Sequence, residues 1–168
     1  RVHLTVTQDG FPWSADSVDL VYSGGSAPFS FATTIDAGLH DYSFELLLEI
    51  SGQLRQIGFV GQVVCGDAFL INGQSNAVAG DYWGEGRGND SQSRWIRSYG
   101  SASLDPSQVI SDTEWHLADG ISLYGSGTVG AWGLRAARLL VDYYQVPIGL
   151  INGAVGGTLL IQHLRNNG

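Results

Sequence analysis

Residues 65–80 read CGDAFLINGQSNAVAG. The run Ala68-Phe69-Leu70-Ile71 is apolar without alternation, the pattern of a strand buried on both faces of a parallel sheet. It ends in Asn72-Gly73, and Gln74, Ser75 and Asn76 follow. Ligands of open α/β sheets sit beyond the carboxyl ends of the strands. Gly73 permits a sharp reversal, and Ser75 is lifted above the sheet edge as a nucleophile would be.

The same grammar returns at residues 147–158, PIGLINGAVGGT. A second apolar run ends in Asn-Gly, and Gly156 and Gly157 let backbone N–H groups converge without Cβ obstruction. Two converging N–H groups are what an oxyanion needs. Between the two runs lies the clearest helix, Ala131 to Gln145. Leu134, Ala137, Leu140, Val141 and Tyr144 share one face at helical spacing, and Pro147 limits the end because the residue before it leaves the α region. Strand, helix, strand predicts a parallel sheet with the two Asn-Gly turns at one edge and the strands adjacent. "RWIRSY" and "EWHLA" read as short strands within a region rich in Gly, Ser, Asp and Asn.

Residues 1–64 have a different texture. "VHLTV", "SVDLVYS" and "YSFELLLEI" are rich in β-formers and alternate in part. "QDGFPWSADS", "GGSAP" and "DAGLHD" read as connectors, and the whole as a small β-sandwich. The expected organisation is an accessory β domain over 1–64 and an α/β domain over 65–168.

The composition excludes several classes. Net charge is −8 and all eight basic residues are Arg. An acidic chain with no basic run is a poor partner for nucleic acid or an anionic membrane. No apolar run reaches the roughly 20 residues a membrane span needs. One cysteine, Cys65, forms no internal disulfide framework and reads as a small buried residue. The chain opens on Arg1 and closes on "RNNG", and reads as a piece of a longer polypeptide.

"GSGTVG", Gly125 to Gly130, imitates a dinucleotide fingerprint. The carboxylate that should hold a ribose about 20 positions on is absent, since that strand ends in Asn152. These glycines are expected to shape a loop leading into the helix. His3 and His40 stand alone, as solvated or hydrogen-bonded side chains. Asn89-Asp90-Ser91 fits a glycosylation sequon and carries no weight for function.

The two blocks together resemble the SGNH hydrolases, in the branch of sialate O-acetylesterases and acetyl xylan esterases. "GDAFLINGQSNA" is similar to that branch's first block, with Gly-Gln-Ser-Asn in place of Gly-Asp-Ser. "EWHLADG" and "VGAWGLRAARLLVDYYQVPIGLINGAVGGTLL" are similar in order downstream, so the likeness spans about residues 64–165. It implies an α/β/α sandwich, here incomplete, with no metal or organic cofactor. Ser75 would be the nucleophile and lend its own N–H to the oxyanion hole. Gly156 would be the second donor, with Gly157 beside it, and Gln74 and Asn76 would support the turn.

The likeness also implies an Asn donor and an Asp-x-x-His that these residues do not supply. Asp112 precedes His116 by four positions, and Leu160 stands three before His163. His116 reads as structural and His163 as a helix-face residue. The missing Asn, Asp and His are expected from the remainder of the same polypeptide, so this stretch alone should be inactive. The expected activity is removal of O-acetyl groups from a carbohydrate, sialic acid or an acetylated xylan-type glycan, by a secreted or periplasmic enzyme. Tyr82, Trp83 and Trp95 could stack on sugar faces, and ordinary packing explains them equally well. The rival reading is a glycan-binding module on an inactive hydrolase fold.

Overall fold

The computed structural model describes residues 1–78, 80, 86–103 and 105–163. The chain divides into two compact units, Arg1–Cys65 and Gly66–Gly168.

In the first unit, β1 (Val2–Gln8), β2 (Phe11–Val18), β3 (Tyr42–Ile50) and β4 (Gln53–Val63) form one antiparallel sheet in the order β2-β1-β3-β4. Two two-residue turns set its register. Asp9 and Gly10 (φ +52° and +83°) join β1 to β2, and Ser51 and Gly52 (φ +52° and +77°) join β3 to β4. Positive φ at both positions gives the strand twist a hairpin needs. Alternation along β1 buries Val2, Leu4 and Val6. Leu4 and Val6 form a cluster with Tyr42, over which Phe31, Ile35, Phe44, Leu46 and Val63 pack. The Tyr42 hydroxyl is satisfied by the Asp36 backbone, accepting from its N–H at 3.2 Å and donating to its carbonyl at 3.3 Å.

A single sheet therefore stands where a sandwich was expected. Residues 19–41 carry no strand, only the isolated bridge Ser23–Ser26. Their Phe31 and Ile35 cover the core in place of a second sheet. "QDGFPWSADS" is a tight turn followed by β2, not a connector. Pro12 is tolerated there because β2 is an edge strand and the register shifts beside it, between Val6 and Thr7. "SVDLVYS" leaves the sheet after Val18. Strand β4 escaped the sequence reading because Gly58, Gly61 and a positive-φ Gln62 interrupt its pattern.

The second unit contains β5 (Asp67–Ile71), α1 (Ser75–Val78), β6 (Ile96–Tyr99), β7 (Ser101–Ala102), α2 (Pro106–Ser111), β8 (Trp115–Leu117), β9 (Gly125–Ser126), α3 (Gly130–Tyr144) and β10 (Ile148–Asn152). Short 3₁₀ turns cover Gly88–Ser91 and Leu160–His163. The main sheet runs β5-β10-β6-β8, and β7 pairs with β9 apart from it. Strands β5, β10 and β6 are parallel, with β5 and β10 directly adjacent. Strand β8 closes the edge antiparallel to β6. The fold is mixed α/β, mostly strand with few helices.

One face of this sheet is covered by α3. Ile148, Leu150, Ile96 and Ser98 are buried there, as are Leu134, Ala137 and Val141 of the helix. Gly133 lets α3 approach β5, since a Cβ at that position would lie 2.7 Å from Ile71 Cδ1. The helix ends at Gln145 in the left-handed region (φ +57°), whose N–H returns to the Val141 carbonyl. Tyr144, expected on the apolar face, is exposed. On the opposite face the paired residues Leu70, Ile151, Tyr99 and Trp115 are all exposed. The second helical layer of an α/β/α sandwich is thus not among the described residues. Ile121–Tyr124, which precedes the Gly125–Gly130 stretch, forms no strand. Among the described residues no helix is long and apolar enough to cross a membrane.

Candidate active site

Strand β5 delivers the chain to Gly73 at φ +146°, where a Cβ would lie 2.9 Å from that of Ala77. A side chain there would be strained twice, by backbone and by contact. The Gln74 carbonyl then accepts from the N–H groups of Ala77 (2.8 Å) and Val78 (3.1 Å), closing the one turn of α1. Val78 is buried and pins the turn from below. Gln74, Ser75 and Asn76 are exposed above it. Among the described residues nothing hydrogen-bonds to the Ser75 hydroxyl.

The second turn is built against the first. Gly153 N–H donates to the Ile71 carbonyl at 2.8 Å, and Val155 N–H to the Gly73 carbonyl at 3.0 Å. Asn152 directs the chain between them. Its Nδ2 donates to the Thr128 carbonyl and its Oδ1 accepts from Ala154 N–H, both at 3.0 Å. Gly156 and Gly157 follow as a turn, with Gly157 at φ +78° and open space where either Cβ would project. Neither the Ser75 nor the Gly156 N–H donates to any group among the described residues. Parallel pairing of β5 and β10 therefore brings an exposed hydroxyl and uncommitted backbone donors to one sheet edge, a chemistry suited to an oxygen that gains negative charge.

The histidines of this unit are engaged elsewhere. His116 Nε2 faces the Asp112 carboxylate at 2.9 and 3.1 Å, and Ser126 Oγ donates to the same group at 2.8 Å. The His116 and Ser126 hydrogen bonds hold the Asp112 carboxyl below its ordinary range. His163 meets Asn72 through Nδ1 at 2.7 Å and Thr158 through Nε2 at 2.6 Å, leaving no ring nitrogen for Ser75. In the first unit His3 pairs with Glu49 at 3.0 Å and His40 with Asp9 at 2.7 Å. No group of three or more His, Cys, Asp or Glu that could hold a metal converges among the described residues.

Other sequence candidates separate. Gly127 belongs to the loop scaffold: its N–H donates to the Gly100 carbonyl at 3.0 Å, and a Cβ would lie 2.6 Å from the Leu117 oxygen. Tyr82 and Trp83 lie outside the described residues. Trp95 is half-buried with the Arg94 guanidinium 4.5 Å above its ring, so one face is occupied. Asn89 of the sequon donates through Nδ2 to Asp119 Oδ1 at 2.8 Å and accepts Gly120 N–H at 2.7 Å. Burial opposes ionisation of Asp119, but hydrogen bonds from Ser122, Ile121 and Asn89 outweigh it and lower its pKa.

Two contributors were not legible as site residues. Trp132, on the first turn of α3, donates its indole N–H to the Ala77 carbonyl at 3.0 Å and so braces α1. His163, expected on a helix face, ends the Leu160–His163 3₁₀ turn and touches both strand-end turns. A polar residue soon after a Gly-Gly-Thr turn was the available signal for His163.

No protein-family profile matches the chain, and no curated protein matches it. Among solved structures, it is similar to a carbohydrate acetylesterase from Xanthomonas citri, at 22% identity and a TM-score of 0.44 over 95% of this chain. The match takes in 35% of that enzyme, so the chain spans about a third of its length.

Proposed function

We propose that the second unit is the nucleophile-bearing part of a serine esterase that removes acetyl groups from a carbohydrate. The observation that carries this reading is the seam between the two turns, Val155 N–H to the Gly73 carbonyl at 3.0 Å. It sets Ser75 and Gly156 on neighbouring turns of one sheet edge. Ser75 Oγ would attack the ester carbonyl, whose developing oxyanion would take the N–H groups of Ser75 and Gly156. Gln74 and Asn76 would shape the turn that presents them. Collapse of the oxyanion intermediate would break the ester C–O bond and expel the sugar hydroxyl, which takes up the proton given by Ser75, and water would then hydrolyse the acyl-enzyme to acetate.

A serine hydroxyl needs a base to take its proton. His116 and His163 are bound to other partners, so the base would come from elsewhere in the polypeptide, along with the Asn donor. An O-acetylated glycan, sialic acid or a xylan, is the substrate class that the Gly-Gln-Ser-Asn block supports, and a secreted or periplasmic setting suits it. The same engagement of both histidines favours a second reading, a glycan-binding module without turnover.

The full-length polypeptide should release acetate from an acetylated glycan and be labelled at Ser75 by a fluorophosphonate. Both should be lost in Ser75→Ala. Glycan binding with neither acetate release nor labelling would establish the binding module instead.

A further inference from the structure

His163 stands where the two turns can be tied by one side chain. Thr158 Oγ1 lies 2.6 Å from the Val155 carbonyl, which can only accept, so the hydroxyl proton is used there. The oxygen's lone pairs are left to face His163 Nε2 at 2.6 Å, and that nitrogen must carry a proton to donate. With that proton on Nε2 the neutral ring's Nδ1 accepts, so the Asn72 carboxamide 2.7 Å away faces it through its NH2 group, the O and N of an amide being assigned by the bonds they make. Asn72 is the last residue before Gly73 and lies three before Ser75, while Thr158 lies two beyond Gly156. The ring thus spans from the root of the nucleophile turn to the far side of the Gly-Gly turn.

We infer that Asn72, His163 and Thr158 form a positioning clamp that fixes the spacing between Ser75 and the Gly156 N–H. The inference rests on the esterase reading for its consequence and on the hydrogen bonds for its existence. The backbone seam at Gly73–Val155 holds the turns side by side at one point. A second tie is needed because Gly153, Gly156 and Gly157 leave the second turn free to pivot about that seam. His163 acts through the turns and touches no reacting atom. A pivot of the Gly156 N–H away from the developing oxyanion would leave substrate binding intact and slow only the chemical step.

Thr158→Val removes the hydroxyl at nearly constant volume, and Thr158→Ser restores it. In the full-length polypeptide, Thr158→Val should lower kcat on an acetyl ester on the order of 10²-fold with KM unchanged, since small misplacements cost that much. Thr158→Ser should recover most of the loss. In long-range ¹⁵N–¹H spectra of histidine-labelled protein, the His163 Nε2 resonance should shift in Thr158→Val and return in Thr158→Ser. Wild-type kcat in Thr158→Val, or a His163 ring whose resonances ignore the substitution, would overturn the clamp. If Ser75→Ala leaves turnover unchanged, the esterase reading is what falls. The ring resonances then decide the clamp alone, which stands if Nε2 shifts and falls if it does not.

Discussion

Gly73 and Val155 are joined by a 3.0 Å backbone hydrogen bond from the second turn to the first. It continues the parallel ladder of β5 and β10 one step past the strands, where most sheets would release the chain into separate loops. The acceptor is the residue that must be glycine for the first turn to form. The donor stands immediately before Gly156, so the backbone itself ties the two turns at this point.

The two glycines of the second turn should behave differently. Gly156 has no positive φ, whereas Gly157 sits at +78°, and a Cβ at either meets open space. Gly156→Ala should therefore leave stability within about 0.5 kcal/mol of wild type. Gly157→Ala should cost about 1 kcal/mol, the penalty for an L-residue in the left-handed region. Urea denaturation of the two variants checks this, and equal midpoints would contradict it.

Asn89 is committed on both sides of its amide, to Asp119 and to Gly120 N–H. Asn89→Ala leaves the Gly120 N–H without its acceptor and takes one of two donors from Asp119 Oδ1, and should destabilise by about 1–3 kcal/mol. Asp119 in turn receives Ile121 and Ser122 N–H, and its carbonyl accepts Val129 N–H at the start of α3. The change should therefore be read in hydrogen exchange at 119–130 as well as in the denaturation midpoint. A midpoint unchanged from wild type would show that the loop does not depend on this amide.

Stability should fall in acid through Asp112. The hydrogen bonds from His116 and then Ser126 lower its folded-state pKa. A depressed carboxyl stabilises the fold above its unfolded value, near 3.9, and loses that contribution as pH falls through the folded value. Asp112→Asn should thus be less stable than wild type at about pH 7, with the gap closing as pH falls below the ordinary carboxyl range. Parallel stability curves across that range would rule the linkage out.

The parallel pair β5 and β10 was legible because both strands are unalternating apolar runs ending in Asn-Gly, although α3 buries one face only and Leu70 and Ile151 on the other are exposed. Helix α3 was legible for the complementary reason, with Leu134, Ala137 and Val141 at helical spacing all buried. The first unit misled at its loops. A Pro and a run of polar residues in Phe11–Val18 read as a connector because edge strands need no apolar face. Residues 19–41 bury Phe31 and Ile35 without any periodic structure, and periodicity is the signal a sequence reading relies on. In the site, Ser75 and the glycines announce themselves by turn chemistry. His163 and Trp132 do not, because their roles depend on contacts 91 and 55 residues away in the chain.

Trp132 supplies the last prediction. Its indole is half-exposed, at 47%, so it contributes little to the core, yet its N–H reaches the Ala77 carbonyl at 3.0 Å. Ala77 lies two residues beyond Ser75 in a helix of only four residues. Such a turn is too short to hold itself together, since helix nucleation is unfavourable and propagation has no length to offset it. The brace from α3 is therefore a principal constraint on where Ser75 points. Trp132→Phe keeps an aromatic ring at this half-exposed position and removes the N–H together with the second ring. Stability should change by about 1 kcal/mol, the net worth of one such hydrogen bond. The rate of Ser75 labelling by a fluorophosphonate should fall by more than that loss converts to, about tenfold or greater. A labelling rate equal to wild type at unchanged stability would show that α1 is held by Val78 and Gln74 alone, and that Trp132 is a surface aromatic.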